Sequence, residues 1–97
     1  MSDYIVAPQA GEDVFRIWRY LYRRAGLDVA NRIESELYGA FEALATLPGK
    51  GHTRTDLTSH PVHFFAVYSY MIVYRSREPL EIVRVLHGRR NLRRILR

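Results

Sequence analysis

The chain has 97 residues, 47% hydrophobic and 26% charged, with no cysteine and a net charge of +5. That length suits one compact core and is too short for two, so a single domain over 1–97 is expected, and the composition argues against disordered, fibrous and membrane classes. Without cysteine, disulfide stapling, thiolate catalysis and cysteine-ligated zinc are excluded together.

Tyr4-Ile5-Val6 is a short β-favouring run that stops at Ala7-Pro8, and Pro8 is placed as the first residue of a helix. From there Val14, Ile17, Trp18, Leu21 and Ala25 recur at three- and four-residue steps, and Gly26 supplies the left-handed residue that ends such a helix. Asp28 is the expected cap of a second helix, whose Ile33, Leu37, Ala40, Leu44 and Leu47 continue until Pro48-Gly49. The two-residue link Gly26-Leu27 makes the pair an antiparallel helical hairpin.

Beyond Gly49 the period changes. Val62 to Tyr68, Tyr70 to Arg75 and Glu81 to His87 are rich in β-branched and aromatic residues, which predicts three consecutive antiparallel strands. Strict alternation in the last places Glu81, Val83, Val85 and His87 on one face, with Ile82, Arg84 and Leu86 on the other. In the tail, Leu92, Ile95 and Leu96 stand at helical spacing among Arg89, Arg90, Arg93, Arg94 and Arg97, so a short basic helix should cap the sheet. The fold expected is α+β, of order β-α-α-β-β-β: an N-terminal strand, then a helical hairpin packed on an antiparallel sheet, then a short basic C-terminal helix.

Residues 1–15 carry Asp3, Glu12 and Asp13 and no long apolar run, unlike a secretory signal. The longest apolar stretches fall far below the roughly 18 residues that a spanning helix requires. A soluble cytoplasmic protein with no membrane partner is expected. Charge is uneven: residues 1–49 hold five arginines against seven acids, whereas residues 50–97 hold ten basic residues against three acids. Fourteen of the fifteen cations are arginine, the planar fork suited to phosphates, carboxylates and aromatic faces. Clustering at one end favours an anionic partner such as nucleic acid or an acidic protein surface. Five like charges within the last nine residues repel one another, a destabilisation that a bound target could relieve; a merely solvated surface is the alternative.

Chemical constellations are weak. His52, His60 and His63 with Asp56 contain enough nitrogen and oxygen for a metal but match no zinc spacing, so solvated loop histidines are expected, with no metal and no cofactor. Gly49-Lys50-Gly51 lacks the remainder of a phosphate loop, and no serine lies in a Gly-x-Ser-x-Gly elbow. His87 sits at a strand end, where a lone histidine is more often structural, hydrogen-bonding a neighbouring carbonyl. Beside the helical stripes lie further aromatics, Phe15 and Tyr22 flanking Trp18 in the first helix, Tyr38 and Phe41 in the second. These faces are either a generous core or a groove for a partner.

Several features taken together resemble the ParE branch of the RelE/ParE toxin superfamily. They are Asp13 in the first helix, the Leu47-Pro48 to Leu57 segment with Gly51, Arg54 and Asp56, the Tyr70 to Arg75 strand, and Val83 to Arg90 with its Val85-Leu86-His87-Gly88-Arg89-Arg90 run. The resemblance covers essentially the whole chain. It implies the toxin of a type II toxin–antitoxin pair that inhibits DNA gyrase by binding, possesses no catalysis of its own, and forms a hetero-oligomer with a ParD-like antitoxin. Target binding is expected of the basic end, His87, Arg89, Arg90, Arg93, Arg94 and Arg97, and the sequence does not choose among gyrase, its bound DNA and the antitoxin as what that end meets. The resemblance assigns antitoxin binding to Phe15, Trp18, Tyr22, Tyr38 and Phe41.

RelE-like relatives share the fold and cut messenger RNA on the ribosome, which needs a proton acceptor, cations for the phosphate and a donor for the leaving oxygen. His87, Arg75, Arg84 and Tyr74 are the residue types for such a set, but the terminal Tyr or His-Tyr usual in those members is replaced by Arg93-Arg94-Ile95-Leu96-Arg97. An endoribonuclease and a plain nucleic-acid-binding module are therefore the alternatives. A chain lacking residues 89–97 is expected to fold and bind the antitoxin while losing toxicity.

Overall fold

Strand β1 (Tyr4–Val6) leads through Ala7 into helix α1 (Pro8–Ala25) in a computed structural model that describes residues 3–90 and 92–96. Pro8 opens α1, where a missing N–H costs nothing, and Gly26 closes it at a φ of 94°, its N–H donating to the Tyr22 carbonyl at 3.0 Å. Helix α2 (Leu27–Thr46) begins at once, so the hairpin link is the single residue Gly26 rather than two. Asp28, expected to cap α2, lies inside its first turn and makes no capping hydrogen bond; its charge still faces the favourable end of the helix dipole. A single 3₁₀ turn, Pro48–Lys50, then ends the helical layer.

The remaining strands are β2 (His63–Val67), β3 (Tyr70–Arg75) and β4 (Leu80–His87), an antiparallel meander as expected. The sheet runs in the order β1-β4-β3-β2, with β1 parallel to β4 and Tyr4 opposite Leu80. The sheet is therefore mixed, and not antiparallel throughout. Two helices and a hairpin separate β1 from its neighbour, and a crossover of that length is what a parallel pair requires.

Strict alternation also fails in β4. Val73 pairs with Arg84 while Tyr74 pairs with Ile82, so Val83 is an extra, unpaired residue, a bulge that resets the pleat. As a result Leu80, Ile82 and Val85 share the helix-facing core, whereas Val83 and Leu86 face the opposite side.

The helix-facing core joins Ala10 and Val14 of α1, Ile33, Leu37, Phe41 and Leu44 of α2, and Ile72 and Tyr74 of β3. Phe41 is fully buried, edge-on to Tyr4 with ring centroids 5.7 Å apart. On the opposite face Val62, Phe64, Val73 and Leu86 are covered by Leu92 and Leu96 of the short helix α3 (Leu92–Leu96), with Leu57 alongside. Thr58, itself buried, donates its hydroxyl to the Leu96 carbonyl at 2.9 Å and so fastens loop to helix. Each leucine buried there contributes roughly 1.5–3 kcal/mol. Residues 92–96 are thus part of the fold, and a chain lacking residues 89–97 would lose the cover that Leu92 and Leu96 give this face. No helix among the described residues is long and apolar enough to cross a membrane.

Candidate functional surfaces

Strand β1 is short, and where it stops decides how the edge of β4 is completed. Ala7 donates the last edge hydrogen bond to the Ile82 carbonyl at 2.9 Å, after which the chain turns into α1 and leaves that edge of β4 without a strand neighbour. Asp13, only 6% exposed, takes that place: its Oδ2 accepts the Val85 N–H at 3.0 Å and Arg84 Nε at 2.7 Å, and its Oδ1 accepts Arg84 Nη2 at 3.0 Å. The fork is bidentate, the strongest geometry for such a pair. Hydrogen bonding to Asp13 raises the Arg84 guanidinium above its ordinary value, against the effect of burial. Arg84 is thereby held as a structural cation joining α1 to the sheet.

Tyr74 is fully buried, its hydroxyl donating to the Pro48 carbonyl and accepting the Gly51 N–H at 3.0 Å. A Cβ on Gly51 would collide with that oxygen, so the turn after α2 closes only on glycine. Burial pushes the Tyr74 phenol up, the Gly51 N–H pulling against it. Arg75 Nε lies 3.6 Å from Glu81, whose carboxylate also receives Arg77 at 2.7 Å. His87 faces Tyr70 at the far end of β3, four residues from Tyr74 and so about 13 Å along the strand. Of the four residues considered for RNA cleavage, His87 is therefore remote from Tyr74, whereas Arg75 and Arg84 border one opening. His87 Nδ1 accepts the Arg89 N–H at 3.1 Å, the reverse of the carbonyl contact expected of it, and its ring meets Tyr70 edge-on at 5.6 Å.

The loop histidines are held by separate contacts. His52 pairs through its backbone with Phe64, and the His63 ring stacks on Tyr74 at 5.4 Å. No three His, Asp or Glu side chains converge on a metal position among the described residues.

At the basic end, Arg89 and Arg90 are exposed on the turn after β4, and Arg93 and Arg94 are exposed on α3; Arg97 lies outside the described residues. Arg93 Nε donates to the Asp56 carbonyl at 2.8 Å, and the Asp56 carboxylate is gripped by Arg54 at 2.9 and 2.8 Å. The Arg54 hydrogen bond draws the Asp56 carboxyl below its ordinary value. This arginine-bearing helix is thus fixed to the loop that precedes β2.

Of the aromatics expected to meet an antitoxin, Phe15, Trp18 and Tyr22 form one ladder on α1, with successive rings stacked at 6.4 and 5.2 Å. Phe15 is 56% and Tyr22 48% exposed, while Trp18 is tied to α2 by its Nε1 donating to Asn31 Oδ1 at 2.9 Å. Tyr38 is exposed and lies edge-on to Phe41 at 5.1 Å. Phe41 itself is fully buried and belongs to the core, a correction to its expected place on the partner-facing surface. Sequence reading missed the pairing of Asp13 with Arg84. Its one signal was an acid at a core position, three residues after Ala10 and four before Ile17.

Comparison with known proteins agrees with this architecture. Residues 4–92 match the family described as the ParE toxin of the type II toxin–antitoxin system parDE. Toxin ParE1 of Caulobacter vibrioides is 32% identical over 93 residues, covering 96% of this chain and 96% of its own. Toxin ParE3 of the same organism is 31% identical over 81 residues, covering 82% and 80%. A chain in the solved structure of the chromosomal ParDE TA system from P. aeruginosa superposes with a TM-score of 0.76 at 14% identity, over 90% of this chain and 96% of that one, a likeness of fold. This chain belongs to the ParE toxin family of type II toxin–antitoxin systems.

Proposed function

We propose that this ParE-type toxin, a single domain acting in the cytoplasm, inhibits DNA gyrase by binding it and is neutralised by a ParD-like antitoxin. The observation that carries the reading is the family match over residues 4–92. The fate of the candidate catalytic groups supports it: Tyr74 is buried in a turn-closing hydrogen bond, Arg84 is locked to Asp13, and His87 stands at the other end of the strand from Tyr74. His87 does not join Arg75, Arg84 and Tyr74 in the set that such cleavage would use, whereas binding needs only surface.

The target-facing surface is the basic end, His87, Arg89, Arg90, Arg93 and Arg94, together with Arg97 of the sequence. The antitoxin covers Phe15, Trp18 and Tyr22 on α1 together with Tyr38. Large planar side chains beside arginines are the chemistry favoured at protein interfaces, and Arg19 already lies 5.7 Å over the Phe15 ring.

The test adds purified toxin to gyrase with supercoiled DNA and, in parallel, to translating ribosomes. Accumulation of cleaved DNA, suppressed by the antitoxin and restored when Phe15→Ala and Trp18→Ala weaken that complex, is the expected result. Cuts at codon positions in messenger RNA with gyrase unaffected would reverse the assignment.

A further inference from the structure

An open cleft of about 400 Å³ lies between α1 and the His87 end of the sheet. Ile17 and Val85 form its apolar base, the rings of Tyr20, Tyr70 and His87 its sides, and the exposed Arg16 and Arg90 its rim. Asp13 also borders it, but that carboxylate is already neutralised by Arg84 and does not repel an anion. The rim cations are available. Arg16 has only a loose contact with Glu12, at 3.8 Å between side chains 66% and 68% exposed, and Arg90 has no ion pair among the described residues. Burial, with Tyr20 beside it, pushes the Tyr70 phenol up.

On the far side of Arg90 lies a second opening of about 410 Å³, bordered by Arg54, Arg93, Leu57 and Met71. Arg90 is common to both, so a cationic track with a ring-lined well runs across the end of the sheet. An acidic peptide would use the arginines and leave the ring walls unfilled. A polymer that alternates an anion with a flat ring would use both, and sequence-tolerant stacking beside a cationic track is how unpaired strands are held.

We propose that this track binds single-stranded nucleic acid, one unpaired base entering the cleft against Tyr20, Tyr70 and His87 while flanking phosphates meet Arg16 and Arg90. A base within a duplex would first have to leave its stack to reach the cleft. The site shares His87 and Arg90 with the target-facing surface but does not rest on gyrase being the target.

The test measures fluorescence anisotropy of a labelled oligothymidine of about ten nucleotides with the full-length toxin and no gyrase present. Its arms are the same strand hybridised to its complement and a polyglutamate peptide. The single strand should bind more tightly than the duplex or the peptide. Tyr20→Ala and Arg90→Gln, both exposed changes that leave the circular dichroism spectrum intact, should each weaken it about tenfold. Arg77→Gln, which removes the same charge elsewhere, should leave it within twofold. Absence of binding, equal losses from Arg77→Gln and Arg90→Gln, a tighter duplex, or a tighter polyglutamate complex would each overturn the proposal, the last in favour of an acidic peptide. Each leaves the gyrase reading standing, because gyrase takes no part.

Discussion

Phe41 and Leu92 are both core residues, yet they are held by different means. Phe41 belongs to a layer of two helices, of 18 and 20 residues, whose apolar faces close one side of the sheet. Leu92 belongs to a five-residue helix, and the cover it provides on the other side depends on discrete fasteners: Thr58 to Leu96, and Arg93 to Asp56. The thick cover is a matter of buried area. On the thin side buried area is helped by a few directed hydrogen bonds, and it is there that the chain concentrates its cations. A binding surface built on the lightly covered face can be reshaped by a partner without disturbing the larger core.

Energetics can break that comparison. Asp13→Ala should be among the two largest losses, about 3–5 kcal/mol by urea denaturation, because it strands both a largely buried Arg84 and the Val85 N–H. Asp13→Asn should lose less, since its amide oxygen still accepts from Val85. Phe41→Ala should cost about 3–5 kcal/mol and Leu92→Ala about 2–3 kcal/mol; equal losses would mean the two covers are equivalent.

A smaller effect separates the fasteners from the packing. Tyr74→Phe removes the hydroxyl shared with Pro48 and Gly51 and should cost about 1–2 kcal/mol. It also changes the pH profile. The folded-state phenol is raised above the usual value of about 10, so the unfolded chain releases its proton first as pH rises, and stability falls from there through the higher folded-state value. Tyr4 and Tyr70 are shifted the same way, so Tyr74→Phe should flatten the alkaline decline in part. An unchanged decline would mean that burial does not raise the Tyr74 phenol. The smallest change in stability, within about 0.5 kcal/mol, is expected of Arg89→Gln with Arg90→Gln, exposed positions whose loss should nonetheless relieve growth arrest.

The element order was legible because it tracks periodicity: Val14, Ile17 and Leu21 on one helix, Ile33, Leu37 and Leu44 on the next, then a change to β-branched and aromatic runs. The parallel seating of β1 and the bulge at Val83 were not legible, since both depend on how distant strands align and three residues carry too little pattern to choose a neighbour. Phe41 shows the limit for surfaces. It stands at helical spacing beside Tyr38, and only the tertiary contact with Tyr4 places one inside and leaves the other out. The cleft was invisible for the same reason, being assembled from α1, β3 and β4.

The central claim, inhibition by occupancy, is tested most directly by titrating the toxin against a fixed amount of gyrase and supercoiled DNA. Cleaved DNA should rise with added toxin and level off at a fixed ratio of toxin to enzyme. Multiple turnovers of an RNA substrate by a trace of toxin, abolished by His87→Ala, would contradict it.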